Sequence, residues 1–129
     1  MRARAVAGRL LEVVTLVPIT GFYAAIAAII LLCLAFNVSF ARVRSGVMTG
    51  DGGHADMLGP LRAHGNAVEY LPIALIVMMT LELEHGSIVL LHVIGVLLVV
   101  GRLLHAFGLL RTTGSSFGRF WGFICTVAA

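Results

Sequence analysis

The sequence predicts an all-α integral membrane protein, a single-domain bundle of four transmembrane helices. Three observations predict it. Hydrophobic residues make up 60% of the 129 and charged residues only 12%, with a mean hydropathy of +1.04, well outside the balance of a water-soluble domain. The apolar residues fall into runs, most of them long enough as helices to cross a hydrocarbon core of roughly 30 Å. Between the runs lie shorter stretches that collect most of the charges, the longest of them rich in glycine. All nine basic residues are arginines, and the net charge is only +3. They flank the runs and form no basic face, which excludes a nucleic-acid partner.

The first expected span covers residues 13–36, apolar apart from Thr15, Thr20 and Tyr23. Its Gly21, Ala24, Ala25 and Ala28 place small residues at helical spacing and predict close packing there. The tail before it carries Arg2, Arg4 and Arg9 and resembles the start of a signal peptide. The apolar run is too long for a cleaved one, so the segment reads as an uncleaved anchor. Residues 37–59, containing RVRSG and GDGGHAD, read as the one long loop. GDGG reads as a turn, because no Lys-Ser/Thr follows to complete a phosphate loop. The second span, 60–83, opens on Pro60, whose fixed φ and missing N–H suit a first helical turn. Pro72 frees the carbonyl of Val68 and predicts a kink. A short turn at Glu82, Glu84, His85 and Gly86 leads to the third span, 87–110. The RTTGSS hinge then leads to the fourth, 115–129. From Phe117 onward that last run covers roughly 20 Å as a helix, short of a bilayer, so either it starts earlier, near Thr113, or it is cut short. Cys33 and Cys125 lie inside apolar runs and read as small buried residues. The first loop and third hinge together carry Arg42, Arg44, Arg62, Arg111 and Arg119, against three arginines in the tail and none in the second turn. This places the long loop in the cytoplasm and the N-terminus outside.

The costly residues of the second span carry the functional signal. RAHGNAVEYLP packs an arginine, a histidine, an asparagine and a glutamate into a membrane-facing segment, where each is expensive unless it faces protein, a partner or water. At 100° per residue, Arg62, Asn66 and Glu69 fall within about 60° of one another and form one stripe, bordered by Tyr70, while His64 points away. The third span returns to the same membrane level and brings Arg102 and His105 there. Pairing that merely holds the bundle in register accounts for Arg62 and Glu69 but leaves a surplus of arginine. That surplus suits a ligand with carboxylates that guanidinium forks can hold.

GDGG followed by LRAHGNAVEYLPIAL and, one span later, GRLLHAFGL resembles the MAPEG family, membrane-associated proteins in eicosanoid and glutathione metabolism, in particular its small bacterial inner-membrane branch. The resemblance implies a four-helix protomer, a homotrimer, and glutathione as co-substrate in a charged pocket between protomers near the cytoplasmic side. By the same resemblance Arg62, Asn66 and Glu69 match glutathione-contacting positions. His64 matches the motif histidine, Arg102 and His105 match the R-x-x-H of the third span, and Tyr70 borders the set. Arg42 matches the basic residue closing the first span, and either Arg111 or Arg119 matches the thiol-activating arginine of the fourth. Two departures stand out. Leu109 occupies a position where several eukaryotic members have tyrosine, and Gly65 one that is basic in some eicosanoid-making members. Both argue against prostaglandin or leukotriene chemistry.

The expected activity is that of a glutathione-dependent transferase or peroxidase acting on apolar small molecules that arrive through the bilayer of the inner membrane. A catalytically silent glutathione-binding or structural trimer is the main alternative. A small multidrug transporter is less well matched: it needs an ionisable group near the midplane of a span, the first span has none, and Glu69 sits near one end.

Overall fold

The computed structural model describes residues 16–111 and 116–129, and within them the backbone forms four helices and no strand. These are α1 (Pro18–Ser45), α2 (Ala55–Leu83), α3 (Ile88–Arg111) and α4 (Phe117–Ala128). Each of the first three is long and apolar enough to cross a membrane. With 12 residues, α4 reaches only about 18 Å at 1.5 Å per residue.

The helix ends depart from the hydropathy reading. Instead of stopping at Phe36, α1 runs on through Asn37, Ser39, Arg42 and Arg44 to Ser45. Polar residues do not end a helix, and Ser39 bonds back to the Ala35 carbonyl at 3.1 Å. The stop comes at Gly46, whose φ of +65° suits glycine and turns its N–H onto the Arg42 carbonyl. Nor does α2 begin at Pro60. It begins at Ala55, with Pro60 and Pro72 both inside the helix, so the expected loop of 37–59 shrinks to 46–54. Within that loop GDGG is a turn, where Asp51 Oδ1 accepts from the Gly53 N–H at 3.2 Å and the Asp51 carbonyl accepts from His54 N–H at 2.9 Å. Leu16 and Val17 precede α1 outside the helix. The expected span start at 13–15, the basic tail and the hinge start at 113–115 lie outside the described residues.

Helices α1, α2 and α3 pack against one another, and α4 packs on α3. The core is built from Ala27, Ile30 and Leu34 of α1, Ala63, Ala67 and Leu71 of α2, and Leu98 and Ala106 of α3. Alanines from all three helices let the backbones approach, as membrane bundles require where lipid tails offer no hydrophobic driving force. The small residues expected to do this, Gly21, Ala24, Ala25 and Ala28, do not form the core. Gly21, Ala25 and Ala28 are exposed, and the buried alanines of α1 are Ala27 and Ala41. Cys33 is likewise exposed rather than buried.

The α3–α4 pair is closer still. A Cβ added at Gly122 would lie 2.4 Å from the His105 nitrogen, and one at Gly118 would lie 2.8 Å from the Leu104 carbonyl. Backbone therefore touches backbone, and Arg119 on α4 is carried up beside His105 on α3.

At the other end of the bundle, Glu82 closes a contact that spans 62 residues of sequence. Its carboxylate accepts from the N–H groups of Ile19 at 2.9 Å and Thr20 at 2.7 Å, capping the first turn of α1 from the end of α2. Beside it, the Tyr23 hydroxyl meets His92 Nδ1 at 3.1 Å, and the Tyr23 ring fills the space a side chain at Gly95 would need. Glu82→Gln keeps one acceptor oxygen but loses the charge facing the helix dipole. It should destabilise the folded protein by about 1–2 kcal/mol, read as a lower melting temperature in detergent.

Candidate functional site

Helical periodicity turns Arg62, Asn66 and Glu69 to one side of α2, and the structure opens a cleft there of about 550 Å3. Its walls also carry Leu58, Leu61 and Gly65 of α2, His105 and Leu109 of α3, and Arg119 of α4. The polar side offers two guanidinium groups, an amide, an imidazole and one carboxylate. Leu58, Leu61 and Leu109 add apolar surface to the same lining. A volume of this order is that of ordinary small-molecule sites.

Arg62 and Glu69 are exposed within the protomer, and among the described residues neither is in an ion pair. The salt bridge found there is Arg44 to Asp56 at 3.7 Å, between exposed groups at the loop, where such pairs contribute at most about 1 kcal/mol.

Arg102 does not line the cleft. It lies behind the wall, 2% exposed, with Nε donating to Thr126 Oγ1 at 2.9 Å and Nη1 donating to Asn66 Oδ1 at 2.7 Å. Its guanidinium carbon sits 5.3 Å from the centre of the Tyr70 ring, a cation–π distance. Tyr70 is thereby turned to the interior, where it also meets Phe123 of α4 edge-on. Thr126 in turn donates to the Gly122 carbonyl at 2.8 Å. Arg102 thus ties α2, α3 and α4 together.

The other expected residues lie elsewhere in the protomer. His64 is half-buried and off the cleft. Arg42 donates to the Gly50 carbonyl at 3.1 Å and lines a separate groove with Ser39, Val43 and Met48. Arg111 lies over the ring of Phe107 on its own helix, 4.5 Å from the ring centre. Of the three candidate thiol-activating arginines, Arg119 shares the cleft with the stripe. The sequence reading assigns Thr126 no role and places Glu82 in a turn, whereas Glu82 lies in the last turn of α2; each takes its role from a partner on another helix. A threonine four residues after Gly122 in an apolar run was the one available signal for the first.

Comparison with known proteins bears on this arrangement. The MAPEG family model matches residues 20–129. The chain belongs to the MAPEG family. Inner membrane protein YecN of Escherichia coli K12 is 37% identical over 90 residues, covering 70% of this chain and 69% of YecN, and YecN of E. coli O6:H1 matches equally. No solved structure matches at a significant level. As a MAPEG membrane protein, this chain combines the family's helical bundle with a cleft lined by one carboxylate, Glu69, and two arginines, Arg62 and Arg119, with Arg102 buried behind it.

Proposed function

We propose that this MAPEG protein is a glutathione-dependent transferase or peroxidase working as a homotrimer in the inner membrane. The observation that carries the reading is the cleft itself, rich in donors, poor in acid and partly apolar. Glutathione has two carboxylates, one ammonium and a thiol. Arg62 and Asn66 suit its carboxylates, and Glu69 suits its ammonium or steadies an arginine. Assembly is supported by exposure. Arg62 and Glu69 open to the outside of one protomer on a membrane helix, where acyl chains would surround them unless a second copy covers them. The exposed small stripe of Gly21, Ala25 and Ala28 offers a face on which such a copy can pack closely. In the trimer, Arg42 is the basic group a neighbour could add. The long-loop end would face the cytoplasm, where glutathione is made available.

The chemistry follows from charge. A thiol of ordinary pKa, about 8.5, becomes more acidic beside a cation, and the thiolate is the nucleophile. Arg119 is the preferred activating group, being on the cleft wall. The thiolate sulfur attacks an electrophilic carbon of an apolar substrate held against Leu58, Leu61 and Leu109. A C–S bond forms as the bond to the leaving group breaks, and the leaving group departs with the electron pair. With a hydroperoxide, the thiolate attacks the outer oxygen, so an S–O bond forms as the O–O bond breaks and the released alkoxide takes a proton to leave as the alcohol; a second glutathione then converts the sulfenic acid to the disulfide and water.

Leu109 favours a modest thiol shift, since it brings no hydroxyl to the sulfur, and it is also what favours the silent-trimer alternative. Glutathione titrated into the detergent-purified protein, followed by calorimetry and by thiolate ultraviolet absorbance at neutral pH, tests the reading. Saturable binding with a thiolate signal is expected. Arg119→Gln should remove that signal while changing binding less than about fivefold, because a cation placed near the sulfur bears on it more than on the more distant carboxylates. Binding without any thiolate signal below the pH of free glutathione leaves the silent trimer, and no binding ends the proposal.

A further inference from the structure

We infer that Arg102 is a positioning residue that turns Asn66 into a pure hydrogen-bond donor toward the cleft. This rests on the cleft being a ligand site and adds how its selectivity for an anion is set. An asparagine amide can present either its oxygen or its NH2, and which one faces a ligand depends on its other partners. Here the choice is forced. A guanidinium has only donors, so the atom of Asn66 that lies 2.7 Å from Arg102 Nη1 is the oxygen. The NH2 group remains for the cleft that Asn66 lines, and among the described residues it has no partner.

Burial makes the constraint firm. Arg102 is 2% exposed and held from two other sides, by Thr126 and by the Tyr70 ring, so it cannot swing away to release the amide. Its second terminal nitrogen, Nη2, is buried without a partner, and among the described residues no carboxylate pairs with it. A buried cation answered only by neutral groups is costly inside a membrane bundle, and packing alone would favour an apolar residue there. The arrangement fits a cation retained for its effect on the site. It fixes the amide, and by pulling on Oδ1 it polarises the NH2 into a stronger donor. The site therefore discriminates for a carboxylate or another acceptor oxygen and against a donor at this point.

Glutathione titration of the assembled, detergent-purified protein tests this with two kinds of variant. Asn66→Asp keeps an oxygen acceptor for Arg102, so the melting temperature should hold or rise. Binding should weaken about a hundredfold, because a donor to a carboxylate is replaced by an acceptor. If Asn66 were only a structural anchor for Arg102, this variant would bind as the wild type does, and that result overturns the inference. Arg102→Gln, which can both donate and accept, should free the amide and weaken binding about tenfold in the wild-type background but add no further loss in an Asn66→Ala background. Multiplying losses would also overturn it. Should Arg102→Gln fail to fold, Asn66→Asp decides alone. If the wild type itself does not bind glutathione, the functional reading falls first, whereas wild-type binding with an unaffected Asn66→Asp removes only the role of Arg102.

Discussion

Arg62→Gln should weaken glutathione binding about a hundredfold, the scale of a lost guanidinium–carboxylate contact of roughly 1.5–3 kcal/mol. Arg62 opens onto the cleft from the second turn of α2 and is in no ion pair among the described residues, so its donors are available to a ligand. Glu69→Gln should cost less, about tenfold, since glutamine keeps an acceptor for an ammonium group but loses the charge. His64→Ala should change binding by less than about twofold, because its ring stands off the cleft and a cleft ligand gains little from it. Calorimetric titration of the three variants gives the order directly. A loss at His64 equal to that at Glu69 would mean that the wrong face of α2 has been assigned to the ligand.

The second large effect is expected at Gly122→Val. Its new Cβ would meet the His105 nitrogen at 2.4 Å, the Gly101 carbonyl at 2.7 Å and the His105 Cα at 2.8 Å. All three are backbone atoms, so no side chain can bend away and α4 must move off α3. That movement breaks the Arg102–Thr126 bond and withdraws Arg119 from the wall of the cleft. A loss of about 3 kcal/mol or more is expected, at or beyond the upper end for overpacked cores, measured as a lower melting temperature, together with loss of the thiolate signal. Gly65→Ala supplies the contrast. Nothing lies within 4 Å of a Cβ there, so the change should be neutral or should stabilise α2 by up to about 1 kcal/mol through helix propensity. If both variants melt alike, close α3–α4 contact is not what holds α4.

The stripe on α2 was legible because it needs only one continuous helix and a fixed 100° step. Arg62, Asn66 and Glu69 share a face whatever the rest of the chain does. The helix ends were less legible, because hydropathy marks where lipid begins while a helix ends where its backbone is capped. Gly46 stops α1 well after Phe36, and α2 is already helical when it reaches Pro60. Among Arg42, Arg111 and Arg119 the sequence could not choose. The choice depends on how α4 folds back along α3, and that is governed by glycines at backbone contact. Arg102 and Tyr70 looked like ligand contacts on charge and position, yet tertiary packing turns them toward each other behind the cleft.

By itself, then, the sequence determined the membrane class, the helical bundle and the polar face of α2, because composition and periodicity along single segments set each of these, and its motifs carried the resemblance to the family. Which cations reach that face, which stay behind it, and that Glu82 holds the start of α1 were decided only in the folded bundle. Those outcomes depend on distances between helices, set where small side chains let backbones meet and where each buried polar group must find a partner on another helix.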